Sequence, residues 1–173
     1  QDPWRDAHSL GNTVVAEYAA RDGLQIPAYV TLPPGLTSLD EARNLPFVVF
    51  PHGGPTARDF LGFDFWVQFL ANRGYGILQL HFRGPWGYGQ AFVDAGNRQR
   101  GQAMQDDITD GVGWLVDNGY ADAGRIAILG GSYGGYAALM GAVKTPDLYQ
   151  CAVSFAGVSD LPELIRWVRQ YVN

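Results

Sequence analysis

Ser132 stands within Gly130-Gly131-Ser132-Tyr133-Gly134, a setting in which a hydroxyl could be turned into a nucleophile. Ahead of it Ile126–Leu129 is a short apolar run, and behind it lies a helix-forming stretch rich in small residues. The order is strand, sharp turn, helix. Gly-x-Ser-x-Gly at such a junction suits a strained elbow that lifts the serine hydroxyl above the sheet edge. The glycines have a steric reason, because a Cβ would collide where strand and helix converge and glycine tolerates backbone angles that other residues avoid. The alternative is a glycine-rich turn with an incidental serine, and the flanking strand and helix argue against it.

Acyl transfer at such a serine also needs donors for the oxyanion. Phe47–Phe50 reads as a buried strand, and Pro51-His52-Gly53-Gly54-Pro55 follows it directly, 80 residues before Ser132. An elbow of this kind pairs the amide after the nucleophile with one from the loop after the third strand. Tyr133 and Gly54 are therefore the candidate oxyanion donors. Glycine suits the second position because the backbone itself must approach the substrate oxygen. His52, set beside the glycines, is badly placed for a general base and reads as a ring that shapes the loop.

The elements that must position these groups follow from pattern. Residues 1–11 read as a linker in which His8 is solvated, and 12–173 as one globular unit. Asn12–Ala19 and Leu24–Leu32 alternate around Asp22-Gly23, a hairpin signal. Phe63–Arg73 has Phe65, Trp66, Phe69 and Leu70 at helical spacing with Gly74 as its cap, which places the aromatics in the core. Tyr75–Phe82 is a strand, and the loop Arg83–Gly89 beyond it carries Trp86 and Tyr88, candidates for lining a substrate pocket. Ala103–Asn118 is an amphipathic helix whose early Asp106, Asp107 and Asp110 suit the helix dipole better than a metal, since no other ligand joins them. Cys151–Phe155 is a further strand and Leu161–Val172 a last helix. A hairpin followed by four strand-helix alternations gives an α/β class with a mainly parallel sheet and helices on both faces.

Composition narrows the partners. The chain has 173 residues, a net charge of -5 and scattered basic residues, which argues against nucleic acid and anionic membrane surfaces. No apolar run is long enough to span a bilayer. A single cysteine, Cys151, excludes an internal disulfide framework and reads as a buried, inert thiol. No cofactor motif is present. The compartment stays open, with cytoplasm preferred to periplasm or secretion.

Asp22-Gly23-Leu24 with Ile26–Tyr29, His52–Pro55, Phe82-Arg83-Gly84 with Gly87-Tyr88-Gly89, Met104–Asp107 and Gly130–Tyr136, taken in order, resemble the prolyl oligopeptidase family of serine peptidases, closest to its acylaminoacyl-peptidase-like branch. The resemblance runs from about Asn12 to Leu164. It implies an α/β-hydrolase catalytic domain, ordinarily preceded by a β-propeller, that acts on short peptides. It also implies Ser132 as nucleophile, with the amides of Gly54 and Tyr133 as the oxyanion hole. The sequence departs from the family at His81, where Asn is common, at Pro85-Trp86, where a small polar pair is usual, and at Arg100, where an aromatic is typical. These departures bear on the substrate pocket, and His81 is also a remote candidate for a substitute base.

In this fold the acid and the histidine follow the serine. His8, His52 and His81 all precede Ser132, and no histidine occurs among the 41 residues after it. Asp147 and Asp160 fall too early for the family's acid, and Asp160 suits a helix cap. The expectation is the front part of a catalytic domain, with C-terminal strands missing, inactive alone and prone to associate with itself or with the rest of the domain. Two other functions compete: a carboxylesterase or lipase-like hydrolase on the same fold, and a pseudo-hydrolase that binds without turnover.

Overall fold

The computed structural model describes residues 10–171. Most of the expected linker, His8 included, lies outside the described residues. Its end is docked: Gly11 is buried, its amide donates to Gln68 Oε1 at 2.7 Å, and Gln68 Nε2 donates back to the Gly11 carbonyl at 3.1 Å.

One six-stranded sheet organises the chain. Its strands are β1 (Thr13–Ala19), β2 (Gln25–Thr31), β3 (Leu45–Val49), β4 (Gly76–Leu80), β5 (Ala121–Gly131) and β6 (Cys151–Phe155), in the spatial order β1-β2-β4-β3-β5-β6. The β1–β2 hairpin is antiparallel and β2 joins β4 antiparallel, whereas β4, β3, β5 and β6 run parallel to one another. Every residue of β4 is buried, as a strand covered on both faces requires.

Alternation along the strands separates two cores. Phe47, Val49, Leu78, Leu80, Ile126 and Ile128 point into the larger one, under α3 (Ala103–Asp117) and α4 (Tyr133–Lys144). Val48 and Ile77 point the other way, onto Val67 and Ala71 of α1 (Phe65–Ala71). The short α2 (Gln90–Ala95), not foreseen from the sequence, precedes α3, and α5 (Leu161–Tyr171) ends the described chain.

Three expectations are corrected here. Phe65, Trp66 and Phe69 are 62%, 49% and 39% exposed, so they are not core; the helix turns Val67 and Ala71 to the sheet and the aromatics outward. Cys151 is exposed rather than buried, because β6 is the outer strand of the described sheet. The aspartates opening α3 do more than complement its dipole. Asp107 is fully buried and takes Arg83 Nη2 at 2.7 Å, Arg83 Nε at 2.9 Å and the Arg83 amide at 2.9 Å. Arg83 also donates to Asp22 in the hairpin turn at 2.7 Å, and Tyr18 Oη donates to the Asp107 carbonyl at 2.7 Å. Two carboxylates hold this guanidinium charged, its pKa pushed up chiefly by the bonds to Asp107. Asp106 and Asp110 pair with Arg21, and Asp106 also with Lys144.

Candidate active site

The parallel strands deliver their loops to one edge of the sheet, where α/β folds build their crevices. At the end of β5 the chain turns sharply at Ser132, whose backbone has φ 54° and ψ -119°. A non-glycine residue in that region is strained by about 1–3 kcal/mol and persists only where its surroundings hold it. The surroundings are backbone: the Ser132 amide donates to the Phe155 carbonyl at 3.2 Å, and its own carbonyl receives the amides of Tyr136 at 3.1 Å and Val158 at 3.4 Å. The turn leaves Ser132 exposed, its hydroxyl without a hydrogen-bond partner among the described residues.

The glycines of the elbow are where convergence requires them. A Cβ on Gly130 would strike the backbone of Gly134, and one on Gly134 would strike the carbonyl of Pro51. That second contact brings the loop after β3 down onto the elbow. Gly53 lies over it as well, since a Cβ there would sit 3.7 Å from the Cβ of Ser132. Gly54 has φ 126°, outside the range of L side chains, and a Cβ would stand 2.6 Å from the amide nitrogens of Thr56 and Ala57. Its amide has no acceptor among the described residues. Tyr133 is the first residue of α4, so its amide is one of the helix-start donors without an intrahelical acceptor. The structure therefore brings Ser132, the Gly53-Gly54 loop and the head of α4 together at one edge.

Tyr133's ring is buried beneath them. Its hydroxyl donates to Met104 Sδ at 3.7 Å and its ring packs on Phe82 and Tyr136, so burial pushes its pKa up. Trp86 is 62% exposed, and its amide donates to the Thr56 carbonyl at 3.1 Å, which places it beside the oxyanion loop. Tyr88 packs inward instead, with ring centroids 5.3 Å from both His81 and Phe92.

Neither described histidine offers a base to Ser132. His52 is stacked 4.3 Å from Phe82, its Nδ1 lies 2.7 Å from the Gly53 carbonyl, and its Nε2 is buried without a partner. Burial pulls its pKa down to about 4. His81 is completely buried between Tyr29, His52 and Tyr88, and neither ring nitrogen meets a partner at hydrogen-bonding geometry. Its pKa also moves down, burial outweighing the pull of the Asp59 and Pro27 carbonyls. Asp59, which no sequence motif singles out, lies in the same region; burial pushes its carboxyl up to about 6 against a hydrogen bond from Gln79.

The sequence pattern of the prolyl oligopeptidase family matches residues 61–167 of the chain, a segment that contains the whole elbow. The chain belongs to that family. Dipeptidyl aminopeptidase BIII of Pseudoxanthomonas mexicana is 42% identical over 158 residues, covering 90% of this chain and 23% of that protein. Dipeptidyl peptidase family member 6 of Caenorhabditis elegans is 35% identical over 181 residues, covering 95% and 24%. A puromycin-hydrolyzing peptidase of Mycobacterium tuberculosis superimposes with a TM-score of 0.85 at 32% identity, over 96% of this chain and 26% of that one. The chain thus spans about a quarter of the length of the prolyl oligopeptidase family members it matches. The mixed sheet and flanking helices are the α/β-hydrolase fold of those peptidases.

Proposed function

We propose that this chain is the nucleophile-bearing portion of a serine peptidase that cleaves short peptides through an acyl-enzyme on Ser132. The observation that carries the reading is the strained, exposed Ser132 at the head of α4 beneath the Gly53-Gly54 loop. In the reaction Ser132 Oγ attacks the scissile carbonyl while its proton passes to a histidine. The amides of Gly54 and Tyr133 receive the oxyanion, the histidine returns the proton to the departing amine, and water then releases the acyl group. Donors fixed before the reaction need no reorganisation as charge develops, and losing one typically costs ~100 to 1,000-fold in turnover. His52 and His81 are both sequestered, so on this reading the histidine and its carboxylate partner come from outside the described residues. Names borne by the relatives, dipeptidyl aminopeptidase and puromycin-hydrolyzing peptidase, support amide bonds close to a free N-terminus as substrates.

The test is active-site labelling of the full-length polypeptide by a fluorophosphonate. One site, Ser132, should be modified, and Ser132→Ala should abolish both labelling and hydrolysis of a dipeptidyl anilide. Labelling that persists in Ser132→Ala would refute the assignment.

A further inference from the structure

Beside the proposed oxyanion loop lies a cavity of about 310 Å³ that the reaction so far leaves unused. Pro55 and Thr56, the residues directly after Gly54, form one wall, and Met104, which accepts the Tyr133 hydroxyl, lies among its lining residues. Arg98 and Arg100 line it as well, together with Asn97, just after α2. Among the described residues neither guanidinium takes part in an ion pair or a hydrogen bond, and no carboxylate lines the cavity. Asp94, the acid closest in sequence, receives Gln90 Nε2 at 2.9 Å. Elsewhere Arg83, Arg21, Arg125 and Lys144 are all paired with acids, in a chain whose net charge is -5. Arg98 and Arg100 thus bring two guanidiniums without acid partners to one recess beside the proposed oxyanion loop, in a chain that is acidic as a whole. Arg100 is also close enough to the elbow to oppose the upward shift that burial imposes on Tyr133 and Tyr136.

Two guanidiniums lining one recess suit an anion with planar, two-oxygen geometry. Every free short peptide carries one obligate carboxylate of that kind, at its C-terminus. The C-terminus always lies on the leaving-group side of the bond that is cut. We propose that Arg98 and Arg100 form a leaving-group subsite that holds the C-terminal carboxylate of a short peptide substrate. This rests on the peptidase reading above. It makes the enzyme read the far end of its substrate, favouring peptides short enough for the carboxylate to reach the cavity while the scissile carbonyl sits on Ser132. The recess is open to solvent, so the preference is modest and weakens with salt.

The experiment compares kcat/KM on the full-length enzyme for tetra-alanine, for tetra-alanine amide, and for the same amide with glutamate at the third position, with alanyl-alanine p-nitroanilide as reporter. The free acid should be preferred over the amide by about tenfold at low ionic strength, the scale of a charge-assisted contact near a surface. That ratio should fall toward one in Arg98→Ala/Arg100→Ala and be partly kept in Arg98→Lys/Arg100→Lys. Because both peptides are measured on one preparation, any inactive fraction cancels from the ratio. Should the alanine variant fail to fold, the wild-type ratio still decides through its decline with added salt. Acid and amide cleaved equally by the wild type, or a ratio unmoved by either the variant or salt, overturns the subsite while leaving the peptidase intact. A preference shown only for the glutamate peptide assigns the arginines to a side chain and overturns the C-terminal assignment. Failure to cleave the anilide and all three peptides overturns the peptidase reading, and the subsite with it.

Discussion

His52 and Asp59 carry opposite pH signatures into the region behind the oxyanion loop. The His52 pKa falls from the ordinary 6.5 to about 4, so the unfolded chain binds a proton that the native ring refuses. Its contribution is complete above about pH 6.5 and is lost as pH falls through about 4, a difference of roughly 3 kcal/mol. Asp59, raised from 3.8 to about 6, works the other way: burying its neutral form favours the fold at low pH, and that advantage is lost as pH rises through about 6. The net acid sensitivity between pH 7 and 4 is therefore smaller than His52 alone would give. His52→Gln should flatten the loss of stability over that range in urea titrations, and Asp59→Asn should steepen it by removing the opposing gain. An unaltered profile in both variants would show that neither group is buried in solution.

At the scale of elements, the Arg83–Asp107–Asp22 cluster ties the loop after β4 to the start of α3 and to the β1–β2 turn. Asp107 is fully buried, so a variant lacking the guanidinium leaves an uncompensated charge. Arg83→Met should cost about 3–5 kcal/mol in chemical denaturation, whereas Arg83→Met/Asp107→Leu should recover most of it, because the penalty belongs to the widowed carboxylate. Lysine is no substitute at a site where Nε and Nη2 both bond the same carboxylate. Equal losses in the single and double variants would move the explanation from charge to packing. Since this loop also carries Trp86 and borders the cavity of Arg98 and Arg100, its anchoring bears on the site as well as on stability.

For the whole molecule, the exposed aromatics of α1 continue across to β6: Phe65 lies 5.8 Å from Trp66 and 5.9 Å from Phe69, and Trp66 lies 6.1 Å from Phe155, itself 47% exposed. A contiguous apolar patch of this kind favours association. The purified 173-residue chain should associate with rising concentration in sedimentation velocity, and Trp66→Glu/Phe69→Glu should reduce it without unfolding, because neither side chain is in the core. The same chain should be nearly inactive on a dipeptidyl anilide. With no accessible histidine base for Ser132 among the described residues, the expected deficit is on the order of a million-fold, the cost typical of losing a triad base. Brisk turnover by this chain alone would return His52 or His81 to consideration.

Much of this is legible in the sequence alone. The hairpin, the parallel strands and the elbow are local matters of period, turn chemistry and glycine placement, and family motifs spread over most of the chain located them further. The sequence also indicated that Ser132 and the Gly53-Gly54 loop belong to one site, through two strand ends. It misplaced Phe65, Trp66 and Phe69, because helical spacing states that a helix has an apolar side but not which of its faces meets the sheet. It left Asp107 as a dipole partner and Cys151 as a buried thiol for a related reason: an acid's burial depends on whether an arginine 24 residues away reaches it, and a thiol's on where its strand falls in the sheet. Arg98 and Arg100 became a pair facing one recess only when the β3 and β4 loops and the turn before α3 closed around it. Period and propensity act over a few residues, whereas burial, charge pairing and cavities are set by distant segments meeting, and these were decided by the tertiary structure alone.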